Sequence, residues 1–170
     1  SYMSFRAPAH GSDEEKTSDL MEFVDCINFI NSKYGPFDTL IGHSLGAVAS
    51  INAASVDKNY KKIVSIGAAA TIEESIKDFC YFLGFSDEVK SMLIKYIEEK
   101  YGVSLEDHGA NKLAKGLKSK GLIIHDKTDH SVDVKSAEAI HSNWKNSELM
   151  LTKGLGHNKI LKDTDVITKI

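Results

Sequence analysis

Apolar residues recur every three or four positions between residues 18 and 34, which predicts an amphipathic helix that ends at Gly35. Short, continuously apolar runs, typical of buried parallel strands, occur at residues 38–43, 62–67, 121–125 and 148–151. Further helices are predicted between and after these runs, at residues 45–54, at 136–144 and from about 157 or 163 onward. Strands that alternate with helices predict an α/β fold with a mostly parallel sheet and flanking helices.

The segment from residue 71 to residue 116 interrupts this alternation. Thr71 begins a capping box, Ser86 begins a second helix that Gly102 ends, and Ser104 begins a third that ends near Gly116. Three helical segments are more than one crossover between parallel strands requires. We therefore expect a helical cap at 71–116, inserted into a single domain that covers residues 1–170.

Composition narrows the class of protein. The 170 residues carry 21 Lys and Arg against 24 Asp and Glu, so the net charge is −3 and gives no electrostatic sign of a nucleic-acid partner. The apolar runs are too short for a membrane span, and the first residues lack a signal-peptide pattern. Cys26 and Cys80 lie in apolar segments outside any Cys-x-x-Cys pair, which predicts free thiols and a cytoplasmic location.

Residues 42–46 read Gly-His-Ser-Leu-Gly, a G-x-S-x-G motif between a predicted strand and a predicted helix. A sharp strand-to-helix turn would expose the Ser44 hydroxyl, with Gly42 and Gly46 at positions where a Cβ would clash. The amide N–H of Leu45, at the start of the helix, would then stabilise negative charge on a bound carbonyl oxygen.

A serine hydroxyl needs a base, and the sequence offers His157 after the last predicted strand. Asp129 lies in the loop after the preceding strand, and both loops fall at the same edge of a parallel sheet. Asp126 competes with Asp129 as the carboxylate that orients the imidazole; we favour Asp129 because it lies deeper in the loop. The order Ser44, Asp129, His157 agrees with this architecture.

On these residues the chain resembles the α/β-hydrolase family. Residues 5–11 resemble the loop after the family's fourth strand, 42–46 its nucleophile elbow, 123–132 its seventh-strand segment, and 156–157 its histidine turn. The resemblance implies that Ser44 is the nucleophile, Asp129 the acid and His157 the base. It also places the 71–116 insertion where the family carries its cap.

The resemblance has two departures. Arg6 and Ala9 stand where the family usually has Asp and Gly, and nothing precedes the predicted strand at residues 2–5, which matches the fourth strand. We therefore expect an N-terminally incomplete domain without the loop that supplies the second oxyanion N–H, and hence a poor catalyst. An open sheet edge would favour self-association.

The remaining candidates have simpler interpretations. His125, Asp129 and His130 fit no zinc or iron ligand spacing, so we expect neither a metal nor an organic cofactor. His43 is interpreted as a packing or substrate-edge residue, and Asp133 as a helix N-cap. Aromatic side chains in the insertion would form the cap's own core or, alternatively, line an acyl pocket: Phe79, Tyr81, Phe82, Phe85, Tyr96 and Tyr101.

The sequence thus predicts a serine hydrolase that cleaves a small carboxylic ester or thioester through an acyl-enzyme on Ser44. One alternative is an acyltransferase that uses the same three residues. The other is a non-catalytic binding module of the same fold, because fold alone does not determine function.

Overall fold

The computed structural model describes residues 2–9 and 17–170, apart from the side chains of Asp78 and Phe82. In this part of the chain, four parallel strands form one sheet in the order β1-β2-β3-β4. Their bounds are Thr39–His43 (β1), Lys62–Ile66 (β2), Lys120–Asp126 (β3) and Ser147–Thr152 (β4). The predicted α/β class, with its mostly parallel sheet, is confirmed.

Helices cover both faces of the sheet. They are α1 (Leu20–Tyr34), α2 (Leu45–Val56), α3 (Ile72–Phe82), α4 (Asp87–Tyr101), α5 (Ala110–Ala114), α6 (Val134–Asn143), α7 (Gly156–Lys159) and α8 (Thr164–Lys169). Ile63 and Ile123 belong to the larger apolar core, with α1, α2 and α6, whereas Val64 and Ile124 pack with Val166 of α8. This alternation along β2 and β3 follows from the two-residue period of a strand. None of the helices in the described ranges is long and apolar enough to cross a membrane.

Most of the predicted helix ends are confirmed. Thr71 caps α3 by accepting a hydrogen bond from the Glu74 amide, and Asp133 caps α6 in the same way from Lys135. Gly102 ends α4 with φ +64, a left-handed conformation that glycine adopts without steric cost. The N-cap of α1 is Asp19 rather than Ser18, because the Asp19 carboxylate accepts from two helix amides. Neither Cys26 nor Cys80 forms a disulfide in the described part of the chain.

Two predicted elements are wrong. Residues 2–5 form no strand, because none of the strands in the described part of the chain pairs with them, and the Tyr2 side chain is 97% exposed. The predicted third helix of the insertion is instead a 3₁₀ turn, Leu105–His108, followed by the short α5, and Gly109 between them is extended. The Asn52 side chain holds this break, because its amide donates to the His108 carbonyl at 3.0 Å.

The insertion docks on the start of α1. The Tyr101 hydroxyl donates to the Asp19 carboxylate at 2.7 Å, and Lys100 reaches the same carboxylate at 3.0 Å. Burial raises the pKa of Asp19, but these hydrogen bonds outweigh the effect of burial and leave the pKa below its ordinary value.

Strand β1 is an outer strand of the described sheet, and its Ile41 side chain is 58% exposed. An unpaired strand edge with an apolar side chain favours pairing with a second chain. We expect Ile41→Lys to lower the sedimentation coefficient at high protein concentration. Ile167→Lys is the matched control, because Ile167 is 57% exposed on α8, away from the edge. Equal sedimentation of the parent and both variants would argue against association through β1.

Candidate functional site

The turn between β1 and α2 has the strained geometry predicted for a nucleophile elbow. Ser44 has φ +53 and ψ −124, and its amide donates to the Ile66 carbonyl at 2.9 Å. A non-glycine residue at positive φ costs roughly 1–3 kcal/mol and persists only where the surroundings hold it. Here the sheet holds it, because Ile66 belongs to the neighbouring strand β2. The half-buried Ser44 side chain therefore lies at the carboxyl end of β1.

The two motif glycines have different roles. A Cβ on Gly42 would lie 2.3 Å from the Gly46 carbonyl oxygen and 2.6 Å from the Ala47 Cα, so only glycine fits there. A Cβ on Gly46 would have no atom within 4 Å. The expectation of a clash at Gly46 is therefore wrong, because its Cβ direction points into open space.

This difference gives a test of the elbow by paired substitution. Gly42→Ala should lower the free energy of unfolding by about 3 kcal/mol or more, because backbone atoms would have to move. Gly46→Ala should be neutral or stabilise by up to about 1 kcal/mol, since alanine is the better helix former. Urea unfolding of both variants measures the difference. Equal losses would contradict this geometry of the turn.

Asp129 and His157 are in direct contact. The Asp129 Oδ2 atom lies 2.7 Å from the His157 Nδ1 atom, and its Oδ1 atom accepts from the amides of Ser131 and Val132. Burial raises the pKa of Asp129, but the hydrogen bonds from His157 and the two amides outweigh it and hold the pKa below its usual value. Because an ionised carboxylate only accepts, the shared proton belongs to the His157 Nδ1 atom, and in the neutral ring Nε2 is left as the hydrogen-bond acceptor.

Asp126, the competing carboxylate, has a different set of partners. It is fully buried and accepts from Thr128, from the Thr152 hydroxyl at 2.7 Å and from the Leu155 amide at 3.0 Å. Burial opposes ionisation, yet these hydrogen bonds hold its pKa well below the usual range. Asp126 therefore links the loop that carries Asp129 to the segment that precedes His157.

The structure lays the His157 ring beside the elbow. A Cβ on Gly67, which follows the Ile66 that binds the Ser44 amide, would lie 3.2 Å from the His157 Cε1 atom. Gly67 also has φ +60, so both the nearby His157 ring and the backbone conformation favour glycine at this position. Within the described residues, the structure records no hydrogen bond between Ser44 Oγ and His157. The structure thus joins Asp129 to His157 and places that pair next to the Ser44 turn, but it has no hydrogen bond between His157 and the Ser44 hydroxyl in the described residues.

Leu45 is the first residue of α2, so its amide N–H has no acceptor within its own helix. The amide points from the positive end of the helix dipole, where a developing oxyanion is favoured. This position is what the sequence predicts for an oxyanion donor.

His125 and His130 were the other histidines considered as metal ligands, together with Asp129. In the described ranges, no group of three or more His, Cys, Asp and Glu side chains is placed to hold a metal ion. His125 is fully buried, and its Nε2 atom lies 2.9 Å from the Val132 carbonyl and 3.6 Å from Asp129. His130 is exposed.

Four of the six aromatic side chains singled out in the insertion are exposed, Tyr101 is half-buried, and the Phe82 side chain lies outside the described part of the structure. Phe79, Phe85 and Tyr96 are between 47% and 60% exposed, and Tyr81 is 87% exposed. For these four the interpretation as a core of the cap is therefore wrong; α3 instead buries Ile76 and Cys80 in the main apolar core. A groove of about 640 Å³ runs between α3, α4 and α5, and its lining does not include Ser44.

Three features near the site could not be read from the sequence. Gly67 makes room for the His157 ring, Asp126 links two loops, and His43 contacts His157 from the β1 side. A glycine as the last residue of a predicted strand and a histidine next to the serine were the available signals. Neither signal identifies its partner, because the partners lie many residues away in the chain.

Comparison with known proteins finds similarity in fold. No family model matches the chain, and no curated protein matches it in sequence. Among solved structures, a monoacylglycerol lipase from Paleococcus ferrophilus is similar over 95% of this chain and 76% of its own, with 20% identity and a TM-score of 0.68. A meta-cleavage product hydrolase from Pseudomonas fluorescens is similar over 94% and 72%, with 16% identity and a TM-score of 0.63.

An esterase domain from Rhodothermus marinus is also similar, over 87% of this chain, with 19% identity and a TM-score of 0.62. The chain spans 62% of the length of that domain. At these identities the comparisons define the fold and not the reaction. The chain has the α/β-hydrolase fold, as its motifs predicted.

Proposed function

We propose that this chain carries the active site of a serine hydrolase that cleaves a carboxylic ester or thioester. The observation that supports this most is the 2.7 Å contact between Asp129 and His157 at the same sheet edge as the strained Ser44 turn. Each of the three side chains follows a different strand, so the fold gathers them from positions far apart in sequence. A purely structural serine would not require the backbone strain seen at Ser44.

The proposed reaction proceeds in two steps. The Ser44 Oγ atom attacks the substrate carbonyl while His157 Nε2 takes its proton, and the Leu45 amide donates to the oxyanion that forms. His157 then gives that proton to the leaving alcohol or thiol, and the acyl group remains on Ser44. In the second step, water gives a proton to His157 and attacks the acyl-enzyme, which releases the acid and restores the Ser44 hydroxyl.

Asp129 has an electrostatic and an orienting role in this scheme. Its depressed pKa keeps it ionised at neutral pH, so it fixes the His157 tautomer and stabilises the imidazolium that forms in both steps. The same three residues would serve acyl transfer if an alcohol or thiol replaced water as the acceptor. We also propose that the 71–116 insertion acts as a cap that bounds the substrate site.

A second candidate is a binding module without hydrolytic activity. The observation that favours it is the missing hydrogen bond between Ser44 Oγ and His157 in the described residues. Apo sites often close this bond only with substrate, so the observation does not outweigh the rest of the geometry.

A fluorophosphonate probe separates the two candidates. Such a probe reacts with a serine only where a base removes its proton and an oxyanion site stabilises the product. We expect labelling of the peptide that contains Ser44, and its loss in the His157→Gln variant. No labelling of the folded chain would support the binding module, whereas labelling that survives His157→Gln would show that His157 is not the base.

A further inference from the structure

His43 makes two contacts with the residue proposed as the base. Its Nε2 atom lies 2.9 Å from the main-chain carbonyl oxygen of His157, and the two rings are 4.6 Å apart between centroids, tilted by 46°. A carbonyl oxygen only accepts, so the His43 Nε2 atom carries the hydrogen and donates it. His43 is the last residue of β1 and directly precedes Ser44.

The segment that carries His157 needs such support. Helix α7 has four residues, none of them buried, and its N-cap Leu155 makes no side-chain capping bond. A helix this short is not stable by itself. Its position must therefore be set by contacts with other elements.

The other hydrogen bonds that hold residues 154–157 come from the β3 side of the site. In the described part of the chain, Leu155 is bonded to Asp126, Gly154 to Thr128, and the His157 ring to Asp129. All three partners lie at the end of β3 or in the loop that follows it. They fix His157 relative to Asp129 but not relative to Ser44, which follows β1.

The hydrogen bond from His43 links the His157 segment to the end of β1, next to Ser44. We propose that His43 is a positioning residue, whose hydrogen bond to the His157 main chain sets the distance between the base and the nucleophile. This inference rests on the function proposed above. This hydrogen bond joins α7 to the residue that directly precedes Ser44.

The charge state of His43 agrees with this role. Burial lowers its pKa, and the neighbouring His157 lowers it further, while the bond to the His157 carbonyl and the Asp129 carboxylate act in the opposite direction. The net direction is downward, so His43 is neutral at pH 7. A neutral ring can donate from Nε2 without placing a second positive charge beside the His157 imidazolium during turnover.

The test compares His43→Gln with His43→Asn. The glutamine amide nitrogen can occupy a place close to that of Nε2, whereas the asparagine amide is one methylene too short to reach the His157 carbonyl. The Gln variant is thus the matched control for the Asn variant, with the same functional group. Thermal melting of both variants establishes that each is folded and equally stable before the comparison.

Two readouts are needed. The first is the rate of fluorophosphonate labelling at Ser44, which should fall about 10- to 100-fold in the Asn variant, because small misplacements of a base cost that much. The Gln variant should stay close to the parent. The second is the NMR signal of the His157 Nδ1 proton, whose exchange with water should speed up in the Asn variant only.

The outcomes separate the two proposals. If both variants are folded and behave alike in both readouts, or if Gln loses as much as Asn, the positioning role of His43 is wrong. If the parent chain is not labelled at all, the proposed hydrolase function fails. The exchange of the His157 proton then decides the role of His43 without any catalytic measurement.

Discussion

Ser44→Ala should reduce turnover of p-nitrophenyl butyrate to the background rate. The loss expected for removing the nucleophile of such a triad is on the order of 10⁴- to 10⁶-fold in kcat. Stability should change little, within about 0.5 kcal/mol, because Ser44 Oγ has no hydrogen-bond partner among the described residues to lose. Alanine also meets the positive φ at this position with the same steric cost as serine.

Ser55→Ala is the matched control for this prediction. Ser55 lies near the other end of α2, where its hydroxyl donates to the Asn52 carbonyl at 2.7 Å. This variant should keep the parent's turnover. If Ser44→Ala retains measurable turnover above background while it melts at the parent's temperature, another residue is the nucleophile.

Asp129→Asn should lower kcat by roughly 10³- to 10⁴-fold with a small effect on KM. An asparagine side chain can still accept from the amides of Ser131 and Val132, so the loop keeps its shape. It no longer provides a negative charge for the His157 imidazolium and does not enforce the Nδ1–H tautomer. Steady-state kinetics of the purified variant measures both constants.

Asp126→Asn distinguishes the two carboxylates that the sequence left in competition. Asp126 does not touch His157, so its replacement should cost about 2–3 kcal/mol of unfolding free energy, from lost hydrogen bonds to a charged acceptor. Turnover should fall only as the folded population falls. A fall in kcat at Asp126 as large as that at Asp129, in a folded variant, would contradict the assignment.

The stability effect at Asp126 also depends on pH. Its pKa is lower in the folded chain than in the unfolded chain, so its contribution is present above the ordinary carboxyl pKa of about 4 and is lost as pH falls below that. The gap between the parent and Asp126→Asn should therefore shrink in acid. Urea unfolding at several pH values between neutral and strongly acidic measures this gap.

Local signals allowed most of the fold to be predicted. The four short apolar runs gave β1 to β4, and stop signals such as Gly102 and the Thr71 capping box set helix ends to within a few residues. The strand predicted at residues 2–5 failed because a strand is defined by its neighbour, which a local pattern does not contain. The break at Gly109 was missed because Asn52, 57 positions away, helps to hold it.

The candidate site was predictable to the extent that chain order reflects it. Carboxyl ends of parallel strands meet at one edge, so Ser44, Asp129 and His157 could be placed together from their strands. The different roles of Asp126 and Asp129 could not be predicted, because a difference of three positions in the chain decides which carboxylate reaches the imidazole. The supporting contacts of Gly67 and His43 depend on the folded path of α7, which has no local signature.

The central claim is that Ser44 carries an acyl group during turnover. Rapid acid quenching of the chain mixed with p-nitrophenyl butyrate, followed by peptide mass spectrometry, tests it directly. We expect a butyryl group on the peptide that contains Ser44, formed as p-nitrophenolate is released and lost on further incubation in water. Ester hydrolysis with no acyl group on Ser44, or with the acyl group on another residue, would contradict it.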